Sequence, residues 1–172
     1  SGSGEVIATG LANGLPNDIF VTTYYAAPKI VEYFAQRVYW RSADLAGATS
    51  SAMLGVWLDS DYRLGGDSTR AYAGDGDELW SVRFSDGVVS MMLDADDFVD
   101  GTHGQGVMVD FAVAANGEIA ALLEFADGSA CLRYFSTSNP HTTARTRWPS
   151  WLSEPVAVES DPYLNYLTVT CD

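Results

Sequence analysis

The chain has 172 residues, 47% hydrophobic and 12% aromatic, which suits one folded domain with a full core and excludes a disordered tract. No apolar run approaches the ~20 residues that a membrane-spanning helix needs. Its 23 acidic residues outnumber 9 basic ones, giving a formal net charge of −14 that repels phosphate backbones and anionic lipid; nucleic-acid and membrane partners are not expected.

Ser1-Gly2-Ser3-Gly4 reads as a cloning remnant, and residues 5–172 as a single β-rich domain with no dividing linker. The first strand candidate is Ile19–Tyr25, rich in β-branched and aromatic residues. Pro28 then suits a first helical position, with Ile30, Val31 and Phe34 at helical spacing before Val38. The run is only about ten residues, so a strand is its alternative. Strand candidates follow at Val38–Arg41 and Ala52–Asp59. Within this stretch Gln36-Arg37-Val38-Tyr39-Trp40 resembles single strands of the fucose-binding fungal propeller lectins. It stands without their repeat, and nothing is carried over from it.

Trp80, Val82 and Phe84 alternate with polar residues up to Asp86-Gly87, and Val89, Met91 and Leu93 alternate after it, which reads as a hairpin. From Gly106 to Ser136 the signal is clearest. Val107, Val109, Phe111 and Val113 alternate, Asn116-Gly117 turns the chain, Ile119, Ala121, Leu123 and Phe125 alternate again, and Asp127-Gly128 leads into Ala130, Leu132 and Tyr134. Asx-Gly pairs tolerate the positive φ of tight hairpin turns, so a three-stranded meander is expected. Val156–Glu159 and Tyr163–Val169 complete the strand candidates.

Many short strands with tight turns predict a mainly β fold, an antiparallel β-sandwich or barrel with meander hairpins and at most one short helix. The Asx-Gly turns near residues 86, 116 and 127 have no fixed period, which makes a partial propeller completed by oligomerisation the lesser alternative. Cys131 and Cys171 are the two cysteines. A bridge between them would suit a secreted protein; two buried thiols are the alternative.

Local catalytic motifs are missing from the sequence. There is no GxSxG, no HExxH and no CxxC; His103 and His141 each stand in loop-like surroundings. Glu118 and Glu124 share a strand face but lie about 20 Å apart at ~3.3 Å per residue, too far for a glycosidase pair. No catalytic residue is therefore assigned. Asp94, Asp96, Asp97 and Asp100 form a cluster of hard oxygen donors, for which calcium is the fitting cation. The spacing lacks the glycine and glutamate of an EF-hand, so solvated acidic turns compete with that reading. Arg145, Arg147, Trp148 and Trp151 concentrate two cations and two indoles within seven residues of an acidic chain, the residue types that dominate binding hot spots.

Three functions follow in order of preference. The first is a non-catalytic β-domain binding a small molecule or glycan through these loop aromatics. The second is an acidic inhibitor or immunity-type protein that caps a basic partner protein. The third is a small β-barrel enzyme or carrier with an apolar pocket.

Overall fold

A computed structural model describes residues 19–21, 29–42, 44, 48–59, 61–114, 117–160 and 167–171. Four antiparallel meanders follow one another along the chain. The first sheet comprises β1 (Ile19–Val21), β2 (Lys29–Phe34), β3 (Arg37–Ser42) and β4 (Ser50–Met53). The second comprises β5 (Arg63–Gly66), β6 (Arg70–Gly74), β7 (Leu79–Arg83) and β8 (Val89–Leu93). The third comprises β9 (Val99–Asp100), β10 (Gly104–Val113), β11 (Glu118–Phe125), β12 (Ala130–Ser136) and β13 (Asn139–Arg147). The fourth is the pair β14 (Pro155–Ser160) and β15 (Leu167–Cys171). One 3-10 turn at Ala95–Phe98 is the helical element among the described residues. The fold is mainly β, with meander hairpins throughout.

The sheets stack in series. β5 touches both β1 and β10, and β10 in turn touches β14, so successive sheets adjoin through a strand near the start of each. This is how neighbouring blades of a propeller meet, each inner sheet burying both of its faces. Val31, Val38 and Leu54 of the first sheet and its flank pack against Ala71, Ala73 and Val82 of the second. The opposite face of the second sheet, with Tyr72, Leu79 and Leu93, meets Phe111, Ile119, Leu123 and Phe135 of the third. The far face of the third sheet, with Ala120, Leu122 and Leu132, meets Val158 of the fourth. Gly65 is required at one of these seams: a Cβ there would come within 2.6 Å of the Phe111 ring. Asp110 ties the last seam together by accepting from the Val158 N–H at 2.8 Å.

The expected meander is present, with Val113 opposite Ile119 and Glu124 opposite Ala130. Gly128 takes a φ of 80° in its second turn and Gly117 a φ of 79° in its first; Asn116 lies outside the described residues. The hairpin about Asp86-Gly87 joins β7 to β8, with Gly87 at φ 70°. Of the remaining candidates, β1, β3, β14 and β15 cover the described parts of four expected strands, while 22–25 and 163–166 lie outside the described residues. Of the strand expected at Ala52–Asp59 only Ala52 and Met53 belong to β4, and residues 54–59 leave the sheet as an irregular connection.

Three details differ from expectation. The run after Pro28 is not a helix but β2, paired with β3 so that Tyr33 faces Val38. Ala35 and Gln36 close that hairpin with positive φ of 49° and 65°, a turn whose twist matches the strands it joins. Ile30, Val31, Glu32 and Tyr33 are all buried, so the strand has no period-two signature to read. Second, β10 does not keep one alternating face. A bulge between Met108 and Asp110 puts Met108 and Phe111 on the same core while Val107 is 50% exposed. Third, β13 extends the meander across Asn139–Arg147, where a loop was expected.

Cys131 and Cys171 are both free thiols. They belong to different cores on opposite faces of the third sheet, so the bridge does not form in this arrangement. Burial pushes the Cys131 thiol up to about 11, making it an inert apolar group.

Candidate functional site

The segment rich in arginine and tryptophan divides in two. Arg145 and Arg147 end β13, and Arg145 lies opposite Tyr134 of β12. The Arg145 guanidinium sits 3.8 Å above the Tyr134 ring centre and makes a forked pair with Glu118. Arg147 stands 5.9 Å from the same ring. These arginines therefore cover a buried tyrosine at the sheet edge. Trp148 turns the other way, toward His103.

His103 is carried by the short connection from β9 to β10, and its backbone N–H donates to Asp100 at 3.1 Å. Thr102 N donates to the same carboxylate oxygen at 2.9 Å, which fixes the loop. The imidazole stacks on Trp148 with ring centres 4.4 Å apart and lies 5.7 Å from Phe125. Trp148 also meets Phe125 at 5.4 Å, so three rings form one platform. Trp148 remains 41% exposed and Trp151 63%. Pro149 and Leu152 bracket a tight turn, closed by Leu152 N donating to the Pro149 carbonyl at 3.0 Å. Leu152 is buried in the core under the fourth sheet, which anchors this rim.

Beside the rings lies a polar set supplied by the turn from β11 to β12. Asp127 Oδ2 is 2.8 Å from His103 Nδ1, and Ser129 Oγ is 2.9 Å from the same nitrogen. Ser129 Oγ donates to Asp127 Oδ1 at 2.5 Å, and the Ser129 N–H donates to that oxygen at 2.9 Å. The Ser129 hydroxyl, then the His103 ring and the Ser129 N–H, hold the Asp127 carboxyl well below the usual carboxylate range. His103, Ser129, Trp148, Pro149 and Leu152 line an open cleft of about 390 Å³.

Asp, His and Ser here do not form a nucleophilic relay. Such a relay needs the carboxylate on one imidazole nitrogen and the hydroxyl on the other. Both groups meet Nδ1 instead, and the serine proton points at Asp127. The arrangement holds the imidazole still and presents its outer edge and the indole to the cleft.

The four aspartates considered as metal donors also separate. Asp94 and Asp97 cap the 3-10 turn reciprocally: Asp94 Oδ1 accepts from Asp96 N at 3.0 Å and Asp97 Oδ2 from Asp94 N at 2.9 Å. Asp100 turns to Thr102, His103 and Arg133, the last at 3.7 Å. His141 of β13, expected in a loop, reaches Asp97 Oδ2 at 2.7 Å and Asp94 Oδ2 at 3.8 Å. Two of the four aspartates thus meet, with a histidine that spacing alone did not associate with them. One imidazole and two carboxylates fall short of the six to eight oxygens that calcium takes.

Spacing did not mark His103, Asp127 and Ser129 as a unit. The legible signal was Asp127-Gly128-Ser129, a turn in which the aspartate accepts from the residue two places on. What brings His103 to it is the pairing of β9 with β10 and of β11 with β12.

Fold and cleft define an all-β protein of successive meander sheets with an aromatic, polar-edged rim. The chain matches no protein-family model and shows no significant similarity to any curated protein. Among the described residues no helix is long and apolar enough to cross a membrane.

Proposed function

We propose that this is a non-catalytic ligand-binding β-domain whose ligand is a carbohydrate, taken in the cleft beside His103 and Trp148. One observation carries the reading: a largely exposed indole is held rigid by two neighbouring rings, with a fixed Asp-His-Ser set at its edge. Sugars present apolar C–H faces and a ring of hydroxyls, and binding sites meet these with aromatic planes and a few placed polar groups. The Trp148 face supplies the first, and His103 and Ser129, which line the cleft and are held by Asp127, supply the second. Arg145 and Arg147, grouped with the tryptophans on sequence grounds, act on Tyr134 and Glu118 and stand outside the binding set.

The test is a glycan array probed with the wild-type chain and with Trp148→Ala. Binding to a subset of glycans, lost in the variant by ~2 kcal/mol or more, is expected for a central aromatic contact. No binding by the wild type, or equal binding by the variant, removes the reading.

A second reading keeps the acidic surface as a cap for a basic protein. It is favoured by the loops carrying Asp59 and Asp75, which meet through a 3.1 Å bond from Asp59 N to Asp75 Oδ2, with exposed Asp61 and Asp77 adjoining. Such a partner would associate faster at low salt, because exposed charges lose reach beyond ~8–10 Å at physiological ionic strength. An association rate independent of salt would count against it.

A further inference from the structure

A second cavity, of about 580 Å³, opens between the first and second sheets, and its chemistry is the reverse of the surface around it. Lys29, Arg41 and Arg83 line it, one third of the chain's nine basic residues, and among the described residues no aspartate or glutamate does. In a chain with 23 acidic residues, a cavity lined by three cations is a place where a negative group meets attraction. Lys29 pairs with Ser42 and Ile30 with Arg41, so the two cations hold neighbouring register positions at one end of the first sheet, on opposite faces of it, and both contribute to the cavity lining at that end. Arg83 ends β7 on the facing sheet. Its Nε lies 3.3 Å from Asp86, an exposed pair, and Asp86 does not line the cavity. Lys29 and Arg41 each keep an interaction within the protein as well as lining the cavity.

Two aromatic rings line the cavity beside the charges. Trp40 and Phe84 stand 5.8 Å apart between ring centres at 46°, Trp40 fixed in the core at 6% exposure. Phe84 N donates to the Thr69 carbonyl at 2.9 Å, which joins the two turns that supply the second sheet's share of the lining, and Thr69 adds a polar edge. Guanidinium groups fork onto carboxylate and sulfate oxygens, and ring planes hold the apolar part of the same molecule.

We propose that this cavity is a binding site for a small anionic ring compound, a sugar bearing a carboxylate or a sulfate. It is separate from the His103–Trp148 cleft and stands or falls independently of it. The experiment titrates isotope-labelled protein at constant ionic strength with glucuronate, glucose 6-sulfate, glucose and inorganic sulfate, following the Trp40, Arg83 and Phe84 signals. Either sugar anion should move those signals at concentrations where glucose does not, and the tighter of the two identifies the anionic group. Arg83→Gln should weaken that binding about tenfold, the loss of one charged hydrogen bond, and leave the melting temperature nearly unchanged because the side chain lies at the rim. Equal shifts with glucose, silence with both sugar anions, or unchanged affinity in Arg83→Gln would overturn the proposal. Inorganic sulfate binding as tightly as the sugar anions would overturn the role of the two rings. Signals from Trp148 and His103 report the other cleft in the same spectra, so failure at one site is distinguished from failure at the other.

Discussion

The seam between the second and third sheets and the rim formed by β13 and residues 148–152 are built from similar residue types put to opposite use. At the seam Tyr72, Leu79, Phe98, Ile119 and Phe135 are wholly buried, and the aromatic rings are packing material. At the rim Trp148 and Trp151 keep 41% and 63% of their surface in solvent, and β13, the outer strand of its sheet, buries almost nothing. The difference teaches that an aromatic ring here is buried or left in solvent by its place in the fold: between two sheets it packs, and beyond the outer strand β13 it stays partly in solvent.

The comparison is broken most severely at the seam. Phe135→Ala should lower unfolding free energy by ~3–5 kcal/mol, the cost of removing a fully buried aromatic side chain, as measured by chemical denaturation. A loss near 1 kcal/mol would mean that the seam is loosely packed. At the rim, Arg145→Ala should cost only ~0.5–1 kcal/mol, since its pair with Glu118 and its stack on Tyr134 are both in part solvent-screened. A double-mutant cycle with Glu118→Gln measures the pair alone.

Glu32 sharpens the comparison at the first sheet. It is 1% exposed, its Oε1 has no hydrogen-bond partner among the described residues, and burial pushes its carboxyl above the ordinary value of 4.5. A raised value means that the folded state holds the proton more tightly than the unfolded chain. Stability from this group is therefore full below 4.5 and declines as pH rises through the raised value. Glu32→Gln should match the wild type near pH 4 and be the more stable protein at pH 7. Equal stability at both pH values would show that the carboxylate has a partner when ionised.

Much of the strand content was legible because turn chemistry is local. Asp86-Gly87 and Asp127-Gly128 announce their hairpins, and Gly87 and Gly128 do take the positive φ that the turns need. The serial stacking was not legible. The strands that join successive sheets, β1, β5, β10 and β14, begin at residues 19, 63, 104 and 155, a step of about 40–50 residues that suits propeller blades but is uneven, and Asx-Gly turns mark different hairpins in different sheets. The β2–β3 turn uses Ala35-Gln36, residues with no turn signature, and Arg63–Gly66 carries too little apolar content to read as a strand. At the rim, the indoles were visible as a cluster, but their partner His103 lies 45 residues earlier and comes near only through sheet pairing. The cavity holding Lys29, Arg41 and Arg83 is hidden for the same reason, being assembled from two sheets.

The claim that binding residues sit on a rim outside the load of the fold rests on Trp148. Unfolding of Trp148→Ala in denaturant, beside Phe135→Ala, tests it most directly. With 41% of the indole exposed, the account predicts a loss of about 2 kcal/mol or less. A loss of ~3–5 kcal/mol, equal to that of Phe135→Ala, would make Trp148 a core residue and contradict it.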